Sequence, residues 1–526
     1  MTVKEATLYL KTDLSQLHDP FLMAGMDKAV KRVIRAIENE EPITVFCDYD
    51  VDGVTSAAFL THFFRDLGCP VTAYLPERQA EGYGLNSEAV RKIREQGSSL
   101  MITADCGITG VKEVALANEI GLDVIVTDHH QVGEEGLPQA VAVLNPHRKE
   151  CDYPFRFLSG VGLAFKLGLG VRSGLHTAGR KKEDLPNMKR HLDLFALGTI
   201  ADVAPLTGEN HILTRHGLDV LSTSAKPGLV ALKEVAGNVD VRSVGFGLGP
   251  RLNAAGRLGK ADSGLHLLTA TDLGTAKTLA NELEKTNQER KEIQEETFLE
   301  AESLLRNERD LESERVIVLA SEIFHPGVIG IAASKIVDTY HRPTVLIALE
   351  EGIGKGSGRS IPKFNLFKAF TNCSSHLIQF GGHAYAAGLS IAEENVDAFR
   401  DAMNEVGHQF LTDEDLIPEI KLDTTLDLSQ IDFPFYKSIA LLEPFGAENP
   451  VPSFQSQGVK IKEVKHMGKE KNHLRFRAVQ GSGQIGVIAF NFASLFESVD
   501  IANEVFDIAY ELHLNSWNGR EKLELR

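Results

Sequence analysis

Short apolar runs alternate with amphipathic stretches along the first part of the chain. Thr44-Val45-Phe46-Cys47 is apolar and runs into Asp48-Tyr49-Asp50-Val51-Asp52-Gly53, three aspartates at alternate positions closed by a glycine. The pattern predicts a buried strand that stops at Asp48, a turn permitted by Gly53, and a helix beginning at Val54. Ahead of it, Ala29-Val30, Val33-Ile34 and Ile37 form one apolar helical stripe. Further strands are expected at 71–75, 100–104, 122–127 and 140–144, with helices at 88–96 and 111–119 between them. Strand and helix in alternation predict a parallel sheet, whose ligands gather at the carboxyl ends of the strands. The polar clusters fall there: Asp48 to Asp52, Asp105-Cys106-Gly107, Asp128-His129-His130 and Asn145-Pro146-His147.

The pattern then changes three times. Residues 226–310 read as helical, and from Leu273 to Arg309 the chain is charged, without proline and with Gly274 alone, as in a long solvated connecting helix. Arg315-Val316-Ile317-Val318-Leu319-Ala320 opens a second α/β region, in which His325 to Ile331 reads as a turn entering a helix. Gly356-Ser357-Gly358-Arg359-Ser360 reads as a flexible loop, and Gly381-Gly382-His383 as a place where backbone approaches a ligand closely. After about residue 415 a proline-rich lead-in, Leu442 to Pro452, precedes alternating strands at 459–464, 473–479, 484–490 and 505–512. The expected domains are 1–225, 226–310, 311–415 and 416–526.

Composition narrows the class. The 526 residues carry a formal net charge of −18, which argues against a protein that coats nucleic acid nonspecifically but not against a nuclease with local basic grooves and an acidic metal site. No uncharged apolar run is long enough to span a membrane, and Met1 to Ala6 lacks the core of a signal peptide. Cys47, Cys69, Cys106, Cys151 and Cys373 are odd in number and scattered, so a reducing cytoplasm is the expected home. The basic stretch is Lys460 to Arg477, and Phe476, Phe490, Phe492 and Trp517 are candidates for base stacking or for the core of a small barrel.

The chemistry lies in Asp48, Asp50, Asp52, Asp105, Asp128, His129, His130 and Asp202, the last closing the apolar segment Leu194 to Ala201. Crowded carboxylates repel one another unless a cation sits among them. Carboxylates with imidazole suit a pair of manganese or magnesium ions, and there is no thiolate set for structural zinc. Two such ions, roughly 3.5–4 Å apart, clamp the attacking and leaving oxygens of a phosphoryl transfer. Taken singly, each aspartate could instead cap a helix and each histidine fill a core.

Asp48-Tyr49-Asp50-x-Asp52-Gly53, Asp105, Asp128-His129-His130 and Gly198-Thr199-Ile200-Ala201-Asp202-Val203 resemble, in order, the motifs of the DHH phosphoesterase family, and most nearly its single-strand-specific exonucleases. The resemblance covers nearly the whole chain, although the leader is shorter than in many relatives and the chain ends within what reads as a last strand. It implies a parallel-sheet DHH domain, a long helix, a DHH-associated α/β domain and an all-β OB-fold domain. It implies two divalent ions, Mn2+ or Mg2+, one on Asp50 and Asp105 and the other on Asp52, Asp105, His129 and Asp202. His130 would face the scissile phosphate, and Asp48 would support the cluster or join it. Arg78 and Tyr83, Arg251, Asn253 and Arg257, Ser357 and Arg359, and Gly382 and His383 are the implied nucleic-acid contacts, with Arg78, Ser357 and Arg359 on the 5′ phosphate. The implied activity is 5′→3′ hydrolysis of single-stranded DNA to 5′ mononucleotides in repair and recombination, with a helicase and a single-strand-binding protein as implied partners and no membrane. The rival readings are a phosphodiesterase for short oligonucleotides or cyclic dinucleotides, and a scaffold that has lost its metal ligands.

Overall fold

The computed structural model describes residues 2–76, 84–258, 262–496, 504–517 and 519–526. Helices α1 (Val3–Lys11) and α2 (Met26–Glu38) precede a sheet of β1 (Ile43–Cys47), β2 (Val71–Tyr74), β3 (Leu100–Ala104), β4 (Asp123–Thr127) and β5 (Ala142–Leu144). Its order is β2-β1-β3-β4-β5, and every pairing is parallel. Between the strands run α3 (Val51–Asp66), α4 (Ser87–Glu95) and α5 (Val111–Glu119). The inner strands β1, β3 and β4 are mostly apolar because both faces are covered, whereas β2 at the edge is partly exposed, and alternate residues feed different cores. Val45, Ile102 and Ile125 pack with α2, α3 and the helices that follow the sheet, whereas Phe46, Met101, Val124 and Val126 pack with α4 and α5.

Helices α6 (Gly160–Thr177), α7 (Leu192–Ala201), α8 (Gly208–Thr223), α9 (Pro227–Ala236), α10 (Val241–Ser243), α11 (Gly249–Arg257) and α12 (Asp262–Thr269) follow. A five-residue π-helical turn, Val244–Leu248, joins α10 to α11. α13 (Leu273–Glu308) has 36 residues, a rod of about 54 Å. Ala276, Ala280 and Leu283 near its start are buried in the first core, and Phe298, Ala301 and Leu305 near its end in a core with Ile317, Leu319, Ala333 and Ile336. One helix thus belongs to two cores, and the charged positions are its solvated remainder.

The second sheet has the order β6-β7-β8-β10-β9, from β6 (Ile317–Ser321), β7 (Thr344–Glu350), β8 (Ile353–Arg359), β9 (Gln379–Gly382) and β10 (Ala386–Ala392), with α14 (Ile329–Tyr340) against it. Only β6 and β7 are parallel. Here the loop expected at 356–360 is corrected, because Gly356 to Arg359 belong to strand β8. Gly354, Gly356 and Gly358 point to one face, where an added Cβ would lie 2.5 Å from Ile347, 2.7 Å from Leu389 and 2.5 Å from Leu366. The glycines admit neighbouring side chains rather than loosening the backbone.

The last sheet, of β11 (Thr424–Thr425), β12 (Ser453–Met467), β13 (His473–Gln480), β14 (Gly483–Ala489), β15 (Phe506–Trp517) and β16 (Arg520–Leu525), closes by pairing β12 with β15. Phe476 is buried in its core, while Phe490 and Phe492 are exposed; the Trp517 side chain lies outside the described residues. The barrel's lead-in docks on the first domain: Leu206 N–H donates to the Ala447 carbonyl at 2.8 Å, and Arg215 Nη1 to the Leu441 and Glu443 carbonyls. All five cysteines are buried and unbridged, and among the described residues no helix is long and apolar enough to cross a membrane.

Candidate metal centre

The order β2-β1-β3 places a topological switch point between β1 and β3, where successive connections leave in opposite directions and open a crevice at the strand ends. Asp48 follows β1 and Asp105 follows β3, one on each side of that crevice. Asp50 is the N-cap of α3, its Oδ1 accepting the Gly53 N–H at 3.0 Å. The helix therefore begins at Val51, earlier than Val54, and Gly53 lies within it. Its role is not the expected turn: any Cβ there would collide with the Asp48 carbonyl, so glycine lets the helix start directly above the strand end.

Asp52 points inward from the first turn of α3 and accepts the Gly160 and Val161 N–H groups at the N-terminus of α6, the second at 2.8 Å. Helix N-termini favour an anion in this position. Asp202 arrives from the C-terminal end of α7 rather than from a strand. That helix approaches because Gly198 sits against Thr55 and Asp52. Asp105 has φ 63°, a left-handed conformation uncommon for a residue with a side chain, and Gly160 lies against its Cβ.

Three sets of ligand atoms gather within 4.8 Å of one another: Asp105, His129 and His130; Asp52, His129 and Asp202; and Asp48, Asp50 and Asp105. They share His129 and Asp105, so they form one continuous nest. His129 Nε2 lies 3.0 Å from Asp105 Oδ1, 3.9 Å from Asp52 Oδ2 and 4.0 Å from Asp202 Oδ2. The closest of these contacts is not aligned as a hydrogen bond, and Asp105 Oδ1 is buried without one. Two acceptors about 3 Å apart are the separation of adjacent ligands in an octahedral site with bonds of 2.0–2.1 Å. The donor set of carboxylates and one imidazole edge fits Mn2+ or Mg2+.

The electrostatics agree. Burial, then the charge of Asp50, pushes the Asp52 carboxyl up to about 7, and burial with Asp52 and Asp50 pushes Asp202 up to about 9. Asp105 is raised well above the carboxylate range by burial and then by Asp52, Asp50, Asp202 and Asp48. Burial and the neighbouring His130 hold His129 down to about 4, so it offers a lone pair rather than a proton. Without cations these acids cannot all be ionised.

His130 is positioned differently. Burial alone would raise Asp128 and lower His130, yet their hydrogen bond reverses both directions. Asp128 Oδ1 meets His130 Nδ1 at 2.7 Å and its Oδ2 accepts the Ile108 N–H at 2.8 Å, while Asn145 Nδ2 donates to the His130 carbonyl at 2.8 Å. The sequence shows both residues at strand ends but assigns neither this holding role; the signal is an amide or acid directly after a strand, a residue type that bonds nearby backbone.

The expected nucleic-acid contacts divide. Arg78 and Tyr83 lie outside the described residues. Arg251 is engaged within the protein, on Glu284, the Gly247 carbonyl and the Val235 carbonyl. Asn253 is half-buried on α11. Arg257 Nη1 donates to the Gly327 carbonyl at 3.1 Å, and the preceding Gly256 packs on the Tyr49 carbonyl, so consecutive residues of α11 touch both lobes. Beyond Gly327, a Cβ on Gly330 would lie 2.8 Å from Arg359 Nη2 and 2.9 Å from Ser357 Oγ. Serine, guanidinium and the start of α14, which has no side-chain cap, therefore converge on one spot. Gly382, at φ 136°, and the exposed His383 form the bend from β9 to β10.

Residues 42–199 match the DHH family N-terminal domain, 313–408 the DHHA1 domain and 422–526 the RecJ OB domain. Over all of its length the chain is 38% identical to the single-stranded-DNA-specific exonuclease RecJ of Bacillus subtilis, of which it spans 65%. It is 37% identical to the protein of that name from Haemophilus influenzae, covering 99% of this chain and 92% of that one. The crystal structure of RecJ from Thermus thermophilus in complex with Mn2+ matches with a TM-score of 0.80 at 32% identity, over 96% of this chain and 71% of that one. The Mg2+ complex matches at 0.75.

Proposed function

As the chain belongs to the RecJ family, we propose that it is a 5′→3′ exonuclease that hydrolyses single-stranded DNA to 5′ mononucleotides with two divalent ions, Mn2+ or Mg2+. The observation that carries the reading is the nest of three overlapping ligand sets sharing Asp105 and His129. Asp48, Asp50 and Asp105 would hold one ion, and Asp52, His129 and Asp202 with Asp105 the other. When bound, the ions supply an activated water and charge stabilisation at the phosphate. His130, held at Nδ1 by Asp128, presents its other ring edge to the phosphate and can hand a proton to the leaving 3′ oxygen. Ser357, Arg359 and the N-terminus of α14 take the terminal 5′ phosphate, and Gly382 and His383 flank it. The short bridge Tyr49–Gly256–Arg257–Gly327 keeps that pocket close to the nest, which supports release of one nucleotide at a time. Arg257 and Asn253 stand on this bridge as strand contacts, Arg78 and Tyr83 are carried over from the family motif alone, and Arg251 braces α11.

The function belongs to DNA repair and recombination, where a helicase supplies the single strand and a single-strand-binding protein shields it, in a cytoplasmic setting. The domain limits proposed are 1–225, 226–310, 311–415 and 416–526. Digestion of a long single strand labelled at either end tests the reading. Immediate release of the 5′ label as a mononucleotide with Mn2+, lost in Asp105→Ala, is expected. Cleavage of short oligonucleotides or cyclic dinucleotides alone would replace it with the phosphodiesterase reading.

A further inference from the structure

Two apolar side chains that the core does not use flank the contact between Ala201, the residue before Asp202, and Gly249 at the start of α11. Val203 follows Asp202 directly and is 70% exposed; Phe246 is 82% exposed. Both are held in unusual backbone. Val203 has φ 59° at the position just past α7, where glycine is the easy residue and a β-branched side chain is strained. It cannot relax, because Ala204 and Leu206 on its other side are buried and Leu206 is bonded to Ala447. Phe246 sits in the π-helical turn between Gly245 and Gly247, a conformation that is rare and concentrates at functional sites. The residues on either side of that turn anchor it: Val244 and Leu248 are buried, and Gly249 packs on Ala201, the residue before Asp202. The structure therefore holds two apolar groups out in solvent at the rim of an acidic site, one of them at a cost in backbone strain.

Their place along α11 gives them a direction. The C-terminal end of α11 touches Tyr49 and the loop before α14, on the side of the Ser357 and Arg359 pocket. Its N-terminal end, about 13 Å away, carries Gly249 against Ala201 and leads back to Phe246. Beyond Phe246 lies Arg242, whose charge acts on Glu511 and Arg526 of the barrel, and Arg526 lies over the exposed Phe490 ring at 5.8 Å. The turn that carries Phe246 is thus tied at Gly249 to the helix that ends in Asp202, and is preceded in the chain by a cation that acts on the barrel.

We propose that Phe246, supported by Val203 at the end of α7, is the base-stacking platform for the nucleotide on the 3′ side of the scissile phosphate, where the single strand turns from the barrel into the metal nest. This rests on the exonuclease reading, which puts the 5′ end at Ser357 and Arg359. A flat aromatic face accepts any base, so the platform serves an enzyme that must advance through every sequence. It also favours unpaired bases, because a base in a duplex has its faces covered by its neighbours.

The test uses 5′-phosphorylated single strands carrying one abasic site at successive positions from the 5′ end, with Mn2+ and the full chain. Phe246→Ala should leave the Tm unchanged and lower kcat/KM for first cleavage about 5- to 100-fold through KM. That deficit should vanish at one abasic position near the 5′ end and persist at the others, and Phe246→Trp should restore the wild-type rate. Val203→Gly should keep or raise the Tm while weakening the same step. Wild-type rates in Phe246→Ala, or a deficit indifferent to the position of the abasic site, would overturn the platform while leaving the exonuclease reading intact. Failure of the wild type to release a 5′ label would overturn both.

Discussion

The two lobes offer contrasting ways to hold phosphate. In the first, buried acids crowd at the switch point of a parallel sheet, and their side chains are the site. In the second, a strand with glycine at every other position lets Arg359 and Ser357 meet the uncapped start of α14, and much of the site is backbone. The first needs a cation before it can meet a phosphate at all, since its carboxyls repel one another. The second is cationic as it stands, because Arg359 stays protonated even though burial pulls it down from its ordinary value. On the proposed reading the difference divides the labour: one lobe would cut and the other would recognise an end.

The sharpest separation of the two comes from Asp105. Asp105→Asn should lower Mn2+-dependent cleavage by about 10³-fold or more, and should also remove the rise in Tm that Mn2+ produces in the wild type. Without metal the same variant should be no less stable than the wild type, because it replaces a buried carboxyl that its acidic neighbours make costly to ionise with a neutral group of the same shape. A variant that loses stability without metal would mean that Asp105 is structural.

Arg359→Ala should act on ends rather than on chemistry. Cleavage of 5′-phosphorylated strands should fall about 10- to 100-fold, as for loss of a charge-assisted hydrogen bond, with little change for 5′-hydroxyl strands. Equal losses on both would remove the end-reading role. Gly330→Ala, which places a methyl 2.8 Å from Arg359 Nη2, should reproduce this preference in weaker form.

The first lobe should also show its charge in stability. Asp52 at about 7 and Asp202 at about 9 hold protons that the unfolded chain releases near pH 4. The metal-free protein binds more protons folded than unfolded across that window. The stability these two groups contribute is therefore fully present below about pH 4 and is lost as pH rises through 7 and 9. Melting curves without metal should show the Tm falling over that range, and Mn2+ should flatten the fall. The smallest effect is Arg251→Ala, which should cost about 1 kcal/mol of stability, read in a denaturant melt, with single-strand affinity unchanged.

The contrast also explains what could be read in advance. The acids were legible because metal chemistry demands particular side chains and because apolar strands mark where they stand; α5 was located residue for residue at Val111–Glu119. Asp202 was legible as a residue but not as the end of a helix, since Leu194 to Ile200 is buried on every side and has no amphipathic period. The β8 glycines were misleading. Locally, Gly356-Ser357-Gly358 suggests a loop, and only the packing of Leu389 and Leu366 from distant segments explains a strand. Gly53 suggests a turn for the same reason, whereas its constraint is the Asp48 carbonyl beside it rather than its own dihedral angles. The holding roles of Asp128 and Asn145 depend on hydrogen bonds across neighbouring strands' ends, which no local pattern encodes.

The central claim is that the metal lobe cuts only where the other lobe has found a 5′ end. The direct measurement is Mn2+-dependent digestion of a single-stranded DNA circle beside the same circle linearised with a 5′ phosphate. The account predicts that the linear strand is consumed to mononucleotides while the circle stays intact over many turnovers. Cleavage of the circle at a comparable rate would show that the nest needs no end, and would contradict the account.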